Sequence, residues 1–153
     1  TPCEHSFPTR RSSDLGRALI VEMHYMLGLT VFVLVWLRLF ARSLGVAPKI
    51  VPAPPQWQSL LATLMHIALY ALMIGMPIAG WLIVSAQGHS VMFYGIELPP
   101  LIGENKDLSK QIKEWHELGG AIGYWLIGLH AAAGLYHHYF MRDNTVLRMI
   151  PKR

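Results

Sequence analysis

Cysteine and charge are both scarce in this 153-residue chain. The single cysteine, Cys3, excludes an internal disulfide, a CxxC redox pair and the CxxCH attachment of a c-type haem. Any bound metal or tetrapyrrole must therefore be held by other side chains. Only 14% of the residues are charged, well below the share of about 25% in ordinary soluble domains. No basic stripe with interleaved aromatics accompanies the net charge of +4, so nucleic acid is not an expected partner. What the chain does have is apolar surface, with 53% hydrophobic residues and a mean hydropathy of +0.35. These residues bunch into three stretches, each long enough to cross a hydrocarbon core of about 30 Å, which takes roughly 20 helical residues. The fold class is thus all-α, a transmembrane helix bundle with a lipid bilayer as its solvent.

Residues 1–15, TPCEHSFPTRRSSDL, differ from the rest of the chain. They are polar, lack the apolar core of a signal peptide, and stop where the membrane pattern begins at Gly16. They read as an adapter-like artefact fused to the reading frame, with a disordered tail as the alternative. Charge does not decide between these, because removing Arg10, Arg11, Glu4 and Asp14 leaves the net charge at +4.

Residues 16–153 form one transmembrane domain with spans expected at about 17–42, 58–86 and 109–141. The first stops before a segment holding Pro48, Pro52, Pro54 and Pro55, which cannot sustain a helix. The second contains Pro77, tolerated in lipid because neighbouring groups re-satisfy the freed carbonyl. Residues 87–108, rich in glycine, proline and mixed charges, read as an exposed loop. Arg38, Arg42 and Lys49 at the linker end of the first span, and Arg142, Arg148, Lys152 and Arg153 in the C-terminal tail, place both regions in the cytoplasm by the positive-inside rule. The first visible span then starts outside, which is the arrangement expected if a further helix precedes it.

Histidine is abundant, with eight in the chain. His116 and His130 are 14 residues apart on one helix, close to four turns and about 21 Å, and share a face. His24 lies near the outer end of the first span, at the depth of His116. A planar tetrapyrrole between helices takes one axial nitrogen from each side, and two neutral imidazoles suit a low-spin, electron-transferring b haem. Depth permits the pair His24 and His116. Deeper in the membrane His130 has His66 at similar depth, or else a partner on the preceding helix. Against these readings stands helix-to-helix hydrogen bonding, the ordinary role of a lone membrane histidine. The small residues Gly119, Gly120, Gly123, Gly128 and Gly134 permit close approach of a helix or a flat ring.

Three segments, EMHYMLGLTVFVLVWLRLFAR, LMHIALYALMIGMPIAGWLI and EWHELGGAIGYWLIGLHAAAGLYHHYFMRDNTVLRMIPKR, closely resemble the bacterial cytochrome b561 family of small diheme quinone-linked membrane cytochromes. The resemblance implies a four-helix bundle whose second and fourth helices ligate one haem and whose first and fourth ligate the other. The visible spans look like the second, third and fourth. His24 and His116 then match the outer-haem iron ligands and His130 one inner-haem iron ligand. The first helix and its histidine have no counterpart here, so the inner site is expected to be incomplete. His66 matches a third-helix histidine beside the inner haem or a quinone. The resemblance further implies one-electron transfer to or from ubiquinone at the inner (plasma) membrane, with superoxide as a proposed outer donor and a superoxide:ubiquinone type of oxidoreductase activity. The inner-side groups His66, His137, Arg38 and Arg142 are candidates for supplying protons to quinone, although membrane anchoring accounts for each arginine singly. The alternative function is a haem-bearing anchor subunit of a larger dehydrogenase or hydrogenase, with a redox protein as partner. A third reading is a haem-free membrane protein whose histidines pack or bind metal.

Overall fold

The computed structural model describes residues 9–45 and 53–145, with side chains in the first helix from residue 14 onward. Its elements are α1 (Thr9–Leu44), α2 (Gln56–Ala86), a hairpin of β1 (Val91–Phe93) and β2 (Ile96–Leu98), and α3 (Lys106–Tyr136), which runs into a π-helical turn, His137–Met141. Among the described residues three helices are long and apolar enough to cross a membrane, over Asp14–Leu44, Gln56–Ala86 and Lys106–Met141. Residues 9–15, set apart by composition, continue α1 as helix. Cys3, His5, Lys49, Arg148, Lys152 and Arg153 lie outside the described residues.

The helix boundaries follow from local chemistry. Pro55, extended at φ −60° and ψ 155°, precedes α2, and a proline is favoured at a helix start because its missing N–H would be unsatisfied there anyway. The helix carries no Asp, Glu, Lys or Arg and continues through Pro77. Asn105 caps α3 by accepting a hydrogen bond from the Leu108 N–H at 3.0 Å, and Asp107 in the first turn complements the helix dipole. That cap starts α3 at Lys106, three residues before the apolar pattern becomes visible at Ser109.

The helices pack in sequence, α1 on α2 and α2 on α3, while α1 and α3 make no close backbone approach among the described residues. The α2–α3 seam is tight because glycines face it. A Cβ on Gly119 would lie 2.7 Å from Met76 Sδ, and one on Gly123 would lie 3.6 Å from Leu72 Cδ1. A trough therefore opens between α1 and α3, floored by α2. Large apolar side chains such as Trp125, 83% exposed, and Phe140, 78% exposed, point outward, where a bilayer and not water is their solvent.

Residues 87–108 are largely exposed, but they hold a hairpin and the start of α3 and are not loop throughout. Val91 pairs with Leu98 and Phe93 with Ile96 in an antiparallel ladder. The two-residue connection Tyr94–Gly95 has φ of 47° and 84°, the both-positive geometry of a type I′ turn, which matches the twist of paired strands. The hairpin is tied to α1, because Tyr94 Oη lies 3.2 Å from Thr30 Oγ1 and buried Val91 joins Leu29 and Val84 in the small core. Beyond it, the Leu101 N–H donates to Ser85 Oγ at 3.1 Å and Asn105 N–H to the Ala86 carbonyl at 2.9 Å. The composition reading failed here because short strands of mixed polarity become visible only through what they pack against.

Candidate functional site

One cavity of about 580 Å³ occupies the trough, within the range of about 300–1,000 Å³ common to cofactor pockets. His24, His66, His116 and His130 all line it. They fall into two pairs at two depths, each pair drawn from two helices.

The outer pair spans the gap. The rings of His24 on α1 and His116 on α3 have their centres 6.0 Å apart at an interplanar angle of 80°. Two imidazoles bound to one iron need about that separation, since metal–imidazole bonds run roughly 2.0–2.1 Å on each side. His116 Nδ1 is buried without a hydrogen-bond partner among the described residues. That nitrogen is thus turned into the protein, which leaves Nε2 as the ring nitrogen able to meet a group in the cavity. Gly80 on α2 faces the same ring, where a Cβ would come within 3.5 Å of His116 Cε1.

The inner pair is built differently. His66 on α2 and His130 on α3 have ring centres 5.4 Å apart at 77°, on two helices that pack directly against each other, and both line the cavity. His66 Nδ1 lies 2.6 Å from the Ala62 carbonyl one turn back. A carbonyl only accepts, so that nitrogen carries the proton and Nε2 is left with its lone pair free. Nε2 is then available to bind a metal or to accept a proton.

Among the described residues no three of His, Cys, Asp or Glu converge on one point. A bare metal ion bound by side chains alone finds no cluster, whereas an iron already held by four equatorial nitrogens asks only for paired axial ligands. The gap between α1 and α3, its apolar and glycine-lined walls and the outer pair's spacing fit such a group.

Two features escaped the sequence reading. Arg38 does not simply snorkel: it lines the cavity, and its Nε donates to Tyr70 Oη at 3.2 Å. The signal was present, because Arg38 follows His24 by the same 14 residues that separate His130 from His116. The second is Asp143, which is buried beneath the π-helical turn, with Arg142 in the left-handed region at φ 51° to bring it back. Its Oδ2 lies 2.5 Å from His137 Nδ1, and its Oδ1 accepts the Thr145 N–H at 2.9 Å. Burial pushes the carboxyl up, and the hydrogen bonds from Thr145 and His137 outweigh it, so the group sits below its ordinary value. His137, an inner-side candidate from the sequence, thus has a fixed partner, Asp143. Of the charges near the outer ligands, Glu117 pairs with Lys113 at 3.7 Å on the surface.

Comparison with known proteins gives a consistent set of relatives. The family model described as prokaryotic cytochrome b561 matches residues 4–152. Cytochrome b561 homolog 1 of Escherichia coli (strain K12) is 42% identical over 147 residues, covering 96% of this chain and 82% of that protein. A probable superoxide oxidase CybB of Yersinia pestis is 37% identical over 131 residues, covering 86% and 74%. Cytochrome b561 homolog 2 of Escherichia coli (strain K12) is 27% identical over 139 residues, covering 86% and 70%.

Proposed function

The chain belongs to the prokaryotic cytochrome b561 family, a family of b-type electron-transfer proteins of bacterial membranes, and on that footing we propose that it passes electrons from an outer donor to ubiquinone. The observation that carries the site is the His24–His116 spacing of 6.0 Å across two helices held apart. A b haem bound there supplies reversible one-electron chemistry. His24 and His116 would hold it, and His130 would hold a second such group at the inner level. His66, which matches a third-helix histidine beside the inner haem or a quinone, is the secondary candidate for the opposite ligand. The family resemblance implies that the first candidate stands on a further helix.

The residues around the inner level suit a quinone. Reducing ubiquinone to its quinol takes two electrons and two protons, and the protons must come from groups near an interface. His66 offers a free Nε2 at this depth, and His137, oriented by Asp143 at the inner end of α3, can exchange protons with water. Arg142 lies beside that dyad. The positive-inside count puts these groups and the C-terminus in the cytoplasm. Superoxide is the proposed donor, by likeness to the Yersinia pestis relative. Each superoxide would give up one electron and leave as dioxygen, so two are consumed per quinol.

The test is kinetic. The haem-loaded protein is reduced chemically without oxygen, a ubiquinone analogue is added and reoxidation is followed. Reoxidation faster than that of free haem in the same detergent supports the reading. An equal rate removes quinone from it. A pulse of superoxide that fails to reduce the oxidised protein removes the donor.

A further inference from the structure

On α1 the place four turns below His24 is taken by an arginine. Arg38 therefore stands at about the depth of His130, on the wall of the same cavity, with its Nε donating to Tyr70 Oη at 3.2 Å. A guanidinium keeps its proton under all ordinary conditions, and a cation at membrane depth is costly unless something of opposite charge faces it. Nothing in the described protein does. The ion pairs among the described residues are Lys106 with Glu104, Lys113 with Glu117 and His137 with Asp143, none at this position. The facing helix α2 contains no acidic residue at all. Tyr70 is neutral and occupies one of five N–H donors.

We infer that Arg38, oriented by Tyr70, binds a carboxylate of the group held at the His130 level, namely a propionate side chain of the b-type tetrapyrrole. The inference rests on the inner level proposed above. A planar, fork-shaped donor matches a carboxylate through two parallel hydrogen bonds, which a lysine would not do. Ubiquinone lacks the charge that Arg38 requires, and a lipid phosphate belongs at the interface, whereas this guanidinium is turned to the cavity. The pair would compensate a charge at membrane depth and select one orientation of the macrocycle.

The test is a titration of the haem-free protein in detergent with protohaem and with its dimethyl ester, which lacks both carboxylates. The component of binding abolished by His130→Ala defines the inner level. In the wild-type chain the ester is expected to bind that level about tenfold more weakly than the acid, the scale of a charge-assisted hydrogen-bonded pair. Arg38→Gln should weaken the acid by a similar factor and leave no further penalty for the ester. Arg38→Lys should keep part of the acid-over-ester preference, and Tyr70→Phe should reduce it less than Arg38→Gln does. Equal binding of acid and ester by the wild-type chain, a comparison needing no Arg38 variant, would overturn the carboxylate site while leaving the inner level standing. An undiminished preference in Arg38→Gln would do the same. Absence of any His130-dependent uptake would overturn both together.

Discussion

His66 lies 5.4 Å from His130, ring centre to ring centre, between α2 and α3. Proximity alone would make them partners on one iron. The family resemblance argues otherwise, because it draws the opposite ligand from a further helix and sets this histidine beside the inner haem or a quinone. His66→Ala is therefore expected to retain the inner-level haem and to slow quinone-dependent reoxidation. His130→Ala should lose that haem outright. Pyridine-haemochrome stoichiometry and reoxidation rates on the two variants check this, and loss of haem in both would make His66 a ligand.

The seam itself carries a stability prediction. In Gly119→Ala the added methyl meets Met76 Sδ inside contact distance, and overpacking of this kind costs about 1–3 kcal/mol. Adding Met76→Ala should recover part of the loss, since the two changes share one contact and cannot be additive. Thermal unfolding in detergent of the two single variants and the double variant gives the coupling.

At the inner end of α3, pH should act through Asp143. Its carboxyl sits below the ordinary value in the folded chain, so its contribution to stability is full above the unfolded pKa of about 3.9. That contribution is lost as pH falls through the lower folded value. Asp143→Asn should remove this acid-side loss and cost of the order of 1 kcal/mol near neutral pH through the weakened bond to His137. Amide exchange in the π-helical turn, measured as a function of pH, reports both effects.

The three spans and both histidine levels were legible because hydropathy and a 14-residue interval survive in one dimension. The pairing of His24 with His116 followed from depth and is what the geometry brings together. The hairpin was not legible, because Val91 is buried only by Leu29 and Val84 from other parts of the chain. Depth also gave His66 its neighbour, His130. Arg38 already satisfies the positive-inside rule, and its turn toward the cavity depends on Tyr70 from another helix. Asp143 follows the apolar run, and its burial depends on the left-handed turn at Arg142.

The most direct test of the central assignment is the low-spin spectrum of the haem-loaded chain with His24 and His116 replaced singly by alanine. Each substitution leaves the outer iron one imidazole short across the 6.0 Å gap. Absorption and electron paramagnetic resonance should therefore show the bis-histidine low-spin signal lost or converted to high spin in both variants. An unchanged low-spin signal in both would contradict the assignment.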